Sequence, residues 1–295
     1  MTNRFKFQPF FQESTLSQSL CYRNRITAVL LGFFITIASV ISSHANDLET
    51  KILLIGKKPD HPFGTHMYLH TCKVLAKCLS QTPNVQTAIS EGWPKDPEML
   101  KGVKTIVIYS TPAAEFLLDG PHRAEVDRLM KSGVGIVTLH WASSVFQQNL
   151  DRLGDRWLSY MGGTWVHNAG LSTTQSTLKQ LLPEHPVCRG WQGFDLLDEY
   201  YLNPRIVDAK PLLQVHTNNQ DVVVGWVYQR KDGGRAFATT LGHYYRNFQN
   251  DSFRKMIING ILWSAHVDIP KEGAAITLSK NDLALPANPA AKAKK

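Results

Sequence analysis

Gly135-Ile-Val-Thr-Leu-His140 is the clearest indication of the fold in this sequence. It is a short apolar run that begins at a glycine and ends at a histidine. Lys51-Ile-Leu-Leu-Ile-Gly56 and Thr105-Ile-Val-Ile-Tyr109 have the same character. Continuous apolar runs of this length, without polar alternation, are typical of strands buried on both faces of a parallel sheet. The three runs therefore predict strands of one parallel sheet, with a further strand at residues 85–89.

The segment after the first strand has helical periodicity. In residues 65–80, Tyr68, Cys72, Leu75 and Leu79 fall on one face at spacings of four, three and four. A strand, a helix and a second strand in this rhythm form a right-handed crossover, and successive crossovers place helices on both faces of the sheet. The pattern thus predicts an α/β protein.

The second half of the chain contains more strand than helix. Asp232-Gly-Gly234 is a hairpin turn signal, and Asp251 is an N-cap for a closing helix at residues 252–264. Further strands are predicted at residues 171–178, 194–201, 212–216, 222–228 and 235–241, and a further helix at residues 121–131. We expect one α/β domain over residues 46–270, with a mostly parallel sheet and helices on both faces.

The net charge of +8 argues for a nucleic-acid partner only if the basic residues lie on the folded part. The excess of basic over acidic residues lies mostly at the two ends: residues 1–45 carry four basic and one acidic residue, residues 271–295 carry five and two, and residues 46–270 carry 23 and 21. The part between is almost neutral, so nucleic acid is not an expected partner. Residues 271–295, rich in Ala, Pro and Lys, are predicted to be a disordered basic tail.

The N-terminal segment has the features of an export signal. Arg23 and Arg25 precede an apolar run at residues 26–42, and Ser43-His-Ala45 places small residues before Asn46. This order predicts a signal peptide over residues 1–45. An uncleaved membrane anchor is the alternative, because about 17 apolar residues approach the length that spans a bilayer. Both interpretations predict a periplasmic or extracellular protein.

The chain has no recognisable motif for nucleotide binding or covalent catalysis. It has no G-x-x-x-x-G-K-[ST] loop, no G-x-G-x-x-G after the first strand and no G-x-S-x-G elbow. The turn Leu139-His-Trp-Ala-Ser143 has no Cys or Ser at the usual position of a nucleophile. Acyl transfer through a covalent intermediate is therefore not expected.

Histidines follow several of the predicted strands. His140 and His243 end two of them, His66 follows the first, and His167 closes a glycine turn. Since the carboxyl ends of parallel strands meet at one edge of a sheet, these side chains are expected to share a crevice. Imidazole exchanges protons near neutral pH and also ligates transition metals. We predict His140 and His243 as acid–base residues, or as ligands with His66 of a divalent transition metal such as zinc, and His66 and His167 as lining the mouth.

A carboxylate and several aromatic side chains complete the candidate site. Glu199 lies late in a predicted strand and is the expected partner of the histidines. Trp165, Tyr200, Tyr201 and Trp226 are predicted to stack on a sugar ring. Burial in the core is the alternative for each of these four residues.

The same segments resemble the ThuA-like (trehalose utilisation) family, whose fold is that of the class I glutamine amidotransferases. The similar motifs come in the family's order between residues 51 and 265. They are Lys51-Ile-Leu-Leu-Ile-Gly56, His61-Pro-Phe-Gly-Thr-His66, Gly133-Val-Gly-Ile-Val-Thr-Leu-His140, Gly162-Gly-Thr-Trp-Val-His167, His185-Pro186, Asp198-Glu-Tyr200, Gly234-Arg-Ala-Phe-Ala-Thr-Thr-Leu-Gly-His243 and Asn259-Gly-Ile-Leu-Trp263.

The resemblance implies a flavodoxin-like sheet and a role in sugar breakdown, with 3-keto-glycosides made by a partner sugar dehydrogenase as a substrate class. It does not imply glutaminase activity, because the amidotransferase cysteine is missing. The chain departs from the family at Trp141, where Gly or Tyr is common. A large indole there is expected to contact the substrate and narrow the crevice.

Three functions are therefore open. The leading hypothesis is an exported enzyme acting on a (3-keto-)glycoside or related sugar, in which His140, His243 and Glu199 transfer protons or assist a metal without a covalent nucleophile. The second is a non-catalytic sugar-binding protein, and the third is a metal-dependent hydrolase of another small molecule. A membrane is an expected partner only if the N-terminal segment stays uncleaved.

Overall fold

The computed structural model describes residues 49–288 of the chain. The predicted signal peptide, with its apolar run, and the last seven residues of the predicted tail lie outside the described residues. Between residues 49 and 288, none of the helices combines the length and the hydropathy that crossing a bilayer requires.

Strands and helices alternate in the first half of the described chain, and strands dominate the second half. The strands are β1 (Thr50–Gly56), β2 (Val85–Glu91), β3 (Val103–Ile108), β4 (Gly135–Leu139), β5 (Ser144–Val145), β6 (Gly163–Val166), β7 (Leu171–Gln180), β8 (Phe194–Tyr201), β9 (Arg205–Ile206), β10 (Lys210–Thr217), β11 (Gln220–Gln229) and β12 (Arg235–Thr239). The helices are α1 (Tyr68–Leu79), α2 (Ala113–Leu118), α3 (Arg123–Lys131), α4 (Leu150–Met161) and α5 (Asp251–Ser264).

Nine strands form one sheet in the order β2-β1-β3-β4-β12-β11-β10-β7-β8. The first five run parallel, and the last four continue the sheet in antiparallel pairs. The order of the parallel half is that of flavodoxin-like folds, so the predicted α/β class is confirmed. A separate sheet of β5, β6 and β9 was not predicted, because strands of two to four residues leave no periodic pattern.

Both faces of the inner parallel strands β1, β3, β4 and β12 are buried, whereas the edge strand β2 is partly exposed. In β1, Ile52 and Leu54 face one core cluster, and Leu53 and Ile55 face the other. The first cluster is closed by α1 and α5, and the second by α2, α3 and α4. Each fully buried side chain of this size contributes roughly 1.5–3 kcal/mol to folding, so the two clusters hold the four inner parallel strands in place.

Residues 271–288 differ from the predicted disordered tail. Ala274 and Ile276 are buried, and the Ala274 backbone N–H donates to Asn259 Oδ1 at 2.9 Å. Three further leucines pack against the same core cluster: Leu278, Leu283 and Leu285. The prediction of disorder is wrong over this range. It rested on the overall Ala, Pro and Lys content, which does not take account of a few spaced apolar side chains that find partners in the core.

A substitution in this segment tests whether it belongs to the fold. Ile276→Ala should lower the free energy of unfolding by about 2 kcal/mol, because it removes buried methyl groups and leaves a partial cavity. Urea denaturation measures the change. The matched control Lys280→Ala alters an exposed side chain of the same segment and should leave the midpoint unchanged; equal midpoints for both variants would show that the segment does not pack.

The half-buried histidine at residue 185 predicts a pH dependence of stability. His185 packs against the Trp263 ring, and its Nδ1 accepts the Val187 backbone N–H at 3.3 Å. Burial, reinforced by positive charges such as Arg235, lowers the pKa of His185 to about 4. The unfolded chain then binds the proton more readily than the folded chain, so the free energy of unfolding should fall as the pH drops from about 6.5 to about 4.

The variant His185→Asn shows how much of the pH dependence comes from this one residue. The asparagine side-chain oxygen still accepts a hydrogen bond, but the amide does not ionise between pH 4 and 6.5. Its urea midpoint should depend less on pH between 6.5 and 4 than that of the unmodified chain. Identical pH profiles would contradict the assignment.

Candidate functional site

Three histidines that follow three parallel strands meet at one point. His66 lies in the segment after β1, His140 directly follows β4, and His243 lies four residues beyond β12. His66 Nε2 is 3.0 Å from His140 Nε2 and 3.1 Å from His243 Nδ1, and the last two atoms are 3.3 Å apart. The structure thus brings together the three residues predicted as metal ligands, which we call the histidine trio.

The backbone at two members of the trio is unusual. His66 has φ 47° and His140 has φ 55°, in the left-handed region that non-glycine residues seldom adopt. A backbone hydrogen bond connects the loop after β1 with the loop after β12, since the His66 N–H donates to the His243 carbonyl at 3.1 Å. Strained backbone held by neighbouring hydrogen bonds is concentrated at functional sites.

The outer ring nitrogens of two histidines have acceptors. His140 Nδ1 donates to the Thr240 carbonyl at 2.8 Å. His66 Nδ1 lies 3.1 Å from Asp60 Oδ1, and the same oxygen lies 2.8 Å from His61 Nδ1. Burial alone would raise the pKa of Asp60, but the hydrogen bonds from His61, Lys57 and His66 outweigh it and hold the pKa well below the usual range.

Asp60 was not among the predicted site residues. Its only signal in the sequence is its position in the loop after β1, next to His61. A carboxylate in a loop is more often solvated than functional, and no periodicity marks it.

Burial lowers the pKa of all three members of the trio. The pKa of His66 is lowered to about 4, that of His243 to about 4, and that of His140 falls well below its ordinary value. The charge that neighbouring imidazoles would carry acts in the same direction. The three rings are consequently neutral at pH 7, and their nitrogen lone pairs are available.

Glu199 and Tyr201 reach the trio from β8. Glu199 Oε2 is 3.6 Å from both His140 Nε2 and His243 Nδ1, and Tyr201 Oη is 3.1 Å from His140 Nε2. Burial raises the pKa of Glu199, which the nearby His61 partly opposes. A carboxylate with a raised pKa is a better proton acceptor, and Glu199 lies beside the histidines with which it was predicted to act.

Asp198 joins β8 to the loop that carries His243. Its carboxylate accepts the backbone N–H groups of Gly242 at 2.6 Å and His243 at 3.0 Å. The side chain is fully buried, and burial raises the pKa of Asp198 to about 7 although the backbone donors oppose this. One carboxylate therefore sets the position of both Glu199 and His243.

Trp141 and His167 lie at the entrance to the trio, as predicted. Both are half-buried, and Trp141 Nε1 donates to His167 Nδ1 at 3.3 Å. The Trp141 ring centroid is 5.9 Å from that of His61 and 6.0 Å from that of His66. These two side chains are in a position to contact a molecule that approaches the histidines.

Three aromatic residues predicted to bind substrate lie in the interior instead. Tyr200 and Trp226 are fully buried, with Tyr200 Oη bonded to the Leu196 carbonyl and Trp226 Nε1 to the Met161 carbonyl. Trp165 is 1% exposed and stacks on Tyr201 at 4.0 Å between ring centroids. Their faces are covered, so the core-packing alternative describes them, and of the three only Trp165 contacts the site, through Tyr201 and His167. Tyr201, the fourth residue predicted to stack on a sugar, is only 3% exposed.

Cavity size does not mark this site. A cavity of about 830 Å³ lies at the amino ends of the parallel strands and is lined in part by Thr50, Val103 and Val134. That is the opposite edge of the sheet from the trio, and ligands of open parallel sheets bind at the carboxyl edge.

Comparison with known proteins agrees with the fold. A family model described as "Trehalose utilisation" (ThuA) matches residues 52–264. A ThuA-like protein of Bacteroides uniformis is 17% identical, with a TM-score of 0.56, and the match covers 79% of this chain and 98% of that one. A cytoplasmic protein of Salmonella typhimurium is 15% identical, with a TM-score of 0.53, over 72% and 98% of the two chains.

A glutamine amidotransferase of Thermotoga maritima is 9% identical, with a TM-score of 0.42, over 74% of this chain and 96% of that one. None of the curated proteins matches the sequence. At 17% and 15% identity, the first two similarities show the fold alone. The function has to be argued from the residues of this chain.

The link through Asp198 predicts a large effect of its removal. Asp198→Ala leaves two buried N–H groups without an acceptor, so the free energy of unfolding should fall by about 3 kcal/mol. The control is Asp195→Ala, which removes an exposed carboxylate from the same strand and should cost under about 1 kcal/mol. Urea denaturation compares the two, and equal losses would contradict the role given to Asp198.

Proposed function

Because this chain belongs to the ThuA (trehalose utilisation) family, we propose that it is a carbohydrate-active enzyme acting on a 3-keto-glycoside or a related sugar derivative. The observation that carries the proposal is the convergence of the histidine trio beside Glu199, at the carboxyl edge of the parallel strands. A set of proton-accepting and cation-binding groups with an aromatic entrance suits a neutral, hydroxyl-rich substrate.

The surroundings of the trio favour chemistry without a covalent nucleophile. Ser143 Oγ, the hydroxyl in the turn that follows His140, donates to the His140 carbonyl at 2.6 Å and is buried. Cys72, Cys78 and Cys188 are free and buried, and burial raises their thiol pKa values to about 12, 11 and 12. Protonated, buried thiols are inert, so proton transfer is the reaction type that these residues support.

Elimination from a 3-keto-glycoside fits this set of groups. The C3 carbonyl acidifies the C2–H bond, and Glu199 takes that proton. The released electron pair forms the C1–C2 double bond, the C1–O bond breaks, and the departing oxygen takes a proton from water. The 3-keto group is unchanged overall, so the step needs no oxidant or reductant.

The entrance residues bear on substrate size. The Trp141 ring contacts the rings of both His61 and His167. A molecule that enters the site therefore meets the Trp141 indole. Aromatic faces stack on the C–H faces of sugar rings, and a large side chain there leaves room for one ring more readily than for a branched chain. A small glycoside is the substrate that this entrance favours.

The pathway context that we propose is an exported one. The export signal rests on the sequence of residues 1–45, with the Arg residues, the apolar run and the small residues before Asn46. The oxidation that makes a 3-keto sugar must come from a separate dehydrogenase, because residues 49–288 carry no dinucleotide-binding fingerprint.

Replacement of the proposed base tests the reaction. Glu199→Gln should lower kcat by a factor of about 100 or more, with little change in KM, because the amide keeps the shape but cannot accept the proton. The assay follows release of p-nitrophenol from a p-nitrophenyl 3-keto-glucoside. The control Glu184→Gln changes an exposed carboxylate outside the site and should keep full activity.

The double variant His140→Ala with His243→Ala should also be inactive. Turnover that survives this change would overturn the proposal. Tight calorimetric binding of an unmodified sugar, with no product over hours, would instead identify a sugar-binding protein.

A further inference from the structure

We propose that the histidine trio is a binding site for one divalent transition-metal ion of the zinc type, with Asp60 and the Thr240 carbonyl as the groups that orient the ligands. The inference deepens the proposed function, since it assigns the three histidines to the ion and leaves proton transfer to Glu199. Metal binding can nevertheless be measured without any substrate.

The spacing of the three nitrogens is that of ligands around one ion. With zinc–nitrogen bonds of about 2.1 Å, two ligands at a right angle are about 3.0 Å apart and two at the tetrahedral angle about 3.4 Å apart. The nitrogens of His66, His140 and His243 are separated by 3.0, 3.1 and 3.3 Å. All three distances lie in that interval, so one ion can bind all three atoms without moving a ring.

The hydrogen bonds on the far side of the rings fix where the protons lie. A carbonyl can only accept, so His140 Nδ1, 2.8 Å from the Thr240 carbonyl, carries the hydrogen. The Asp60 carboxylate likewise places the hydrogen of His66 on Nδ1, and Tyr68 Oη lies 2.7 Å from the same atom. In the neutral rings both Nε2 atoms are then bare.

Two bare nitrogens 3.0 Å apart repel each other unless a cation lies between them. His140 is fully buried and His66 is 2% exposed, so water does not screen the contact. His243 Nδ1 adds a third donor atom to the same point. The Tyr201 hydroxyl, 3.1 Å from His140 Nε2, can donate to one of these nitrogens, whereas a bound cation accepts the lone pairs of all three at once.

The outer contacts are those of metal-binding histidines in general, whose second nitrogen usually donates to a carboxylate or a backbone carbonyl. Asp60 is itself held by Lys57 Nζ at 3.0 Å and by His61 Nδ1 at 2.8 Å. The carboxylate therefore has a fixed direction, and it orients His66 before any ion arrives.

The remaining side of the site is open to a ligand. His243 is only partly buried, and Glu199 Oε2 lies 3.6 Å from two of the three nitrogens. Three protein ligands with a free position are the pattern of catalytic rather than structural zinc. Three imidazoles and no oxygen ligand select transition metals over Mg²⁺ or Ca²⁺. Glu199 is placed to accept a proton from a water or substrate group on that free position.

Metal titration of the EDTA-treated full chain tests the proposal. Calorimetry with Zn²⁺ and the visible absorption of bound Co²⁺ should both show one equivalent per chain with micromolar or tighter affinity. Asp60→Ala should bind about 10- to 100-fold more weakly, and His140→Ala should lose the stoichiometric site. The control His216→Ala removes an exposed histidine outside the trio and should bind as the unmodified chain does.

Absence of stoichiometric Zn²⁺ and Co²⁺ binding by the unmodified chain would overturn the proposal, whether or not the variants fold. Equal binding by folded His140→Ala, checked by circular dichroism, would also overturn it. The two proposals fail separately: a chain that binds metal but does not cleave 3-keto-glycosides contradicts only the proposed function. A chain that binds neither Zn²⁺ nor Co²⁺ but cleaves 3-keto-glycosides contradicts only the metal site.

Discussion

The shared direction of β1, β4 and β12 is the constraint on which the site depends. These strands belong to one parallel set, so their carboxyl ends lie on the same edge of the sheet. His66, His140 and His243 are far apart in sequence, and only this arrangement brings their nitrogens together. The two core clusters keep the strands aligned because they bury both faces of the four inner parallel strands, β1, β3, β4 and β12.

A second link brings the antiparallel part of the sheet to the same place. Asp198 on β8 accepts two N–H groups of the loop after β12, so the far end of the nine-stranded sheet lies against its parallel half. Glu199 and Tyr201 reach the trio as a result. The fold thus supplies three histidines from one half of the sheet and the Glu199 carboxylate from the other, and the buried Asp198 carboxylate connects the two halves.

Much of the fold could be predicted from the sequence, because apolar strands and an amphipathic helix carry strong periodic signals. β1, β4 and α1 follow directly from such patterns. The small second sheet and the packing of residues 271–288 could not be predicted in the same way. Very short strands have no period, and spaced leucines in an Ala- and Pro-rich segment resemble a flexible chain until their partners are known.

The site was predictable where a residue directly follows a strand, as His140 does. It was not predictable where the register of a strand decides the outcome. Neighbouring residues on a strand face opposite sides, so Tyr200 enters the core while Tyr201 reaches His140. For the same reason Asp198 binds the backbone while Glu199 faces the trio. The sequence alone does not show which member of each pair faces the histidines and which faces the interior.

The most direct test of this account is the anomalous diffraction of a crystal soaked in Zn²⁺, recorded at the zinc absorption edge. We expect one strong anomalous-difference peak within about 2.1 Å of His66 Nε2, His140 Nε2 and His243 Nδ1, with Glu199 facing the remaining coordination position. A well-ordered crystal with no peak between these three nitrogens, or with its strongest peak elsewhere on the molecule, would contradict it.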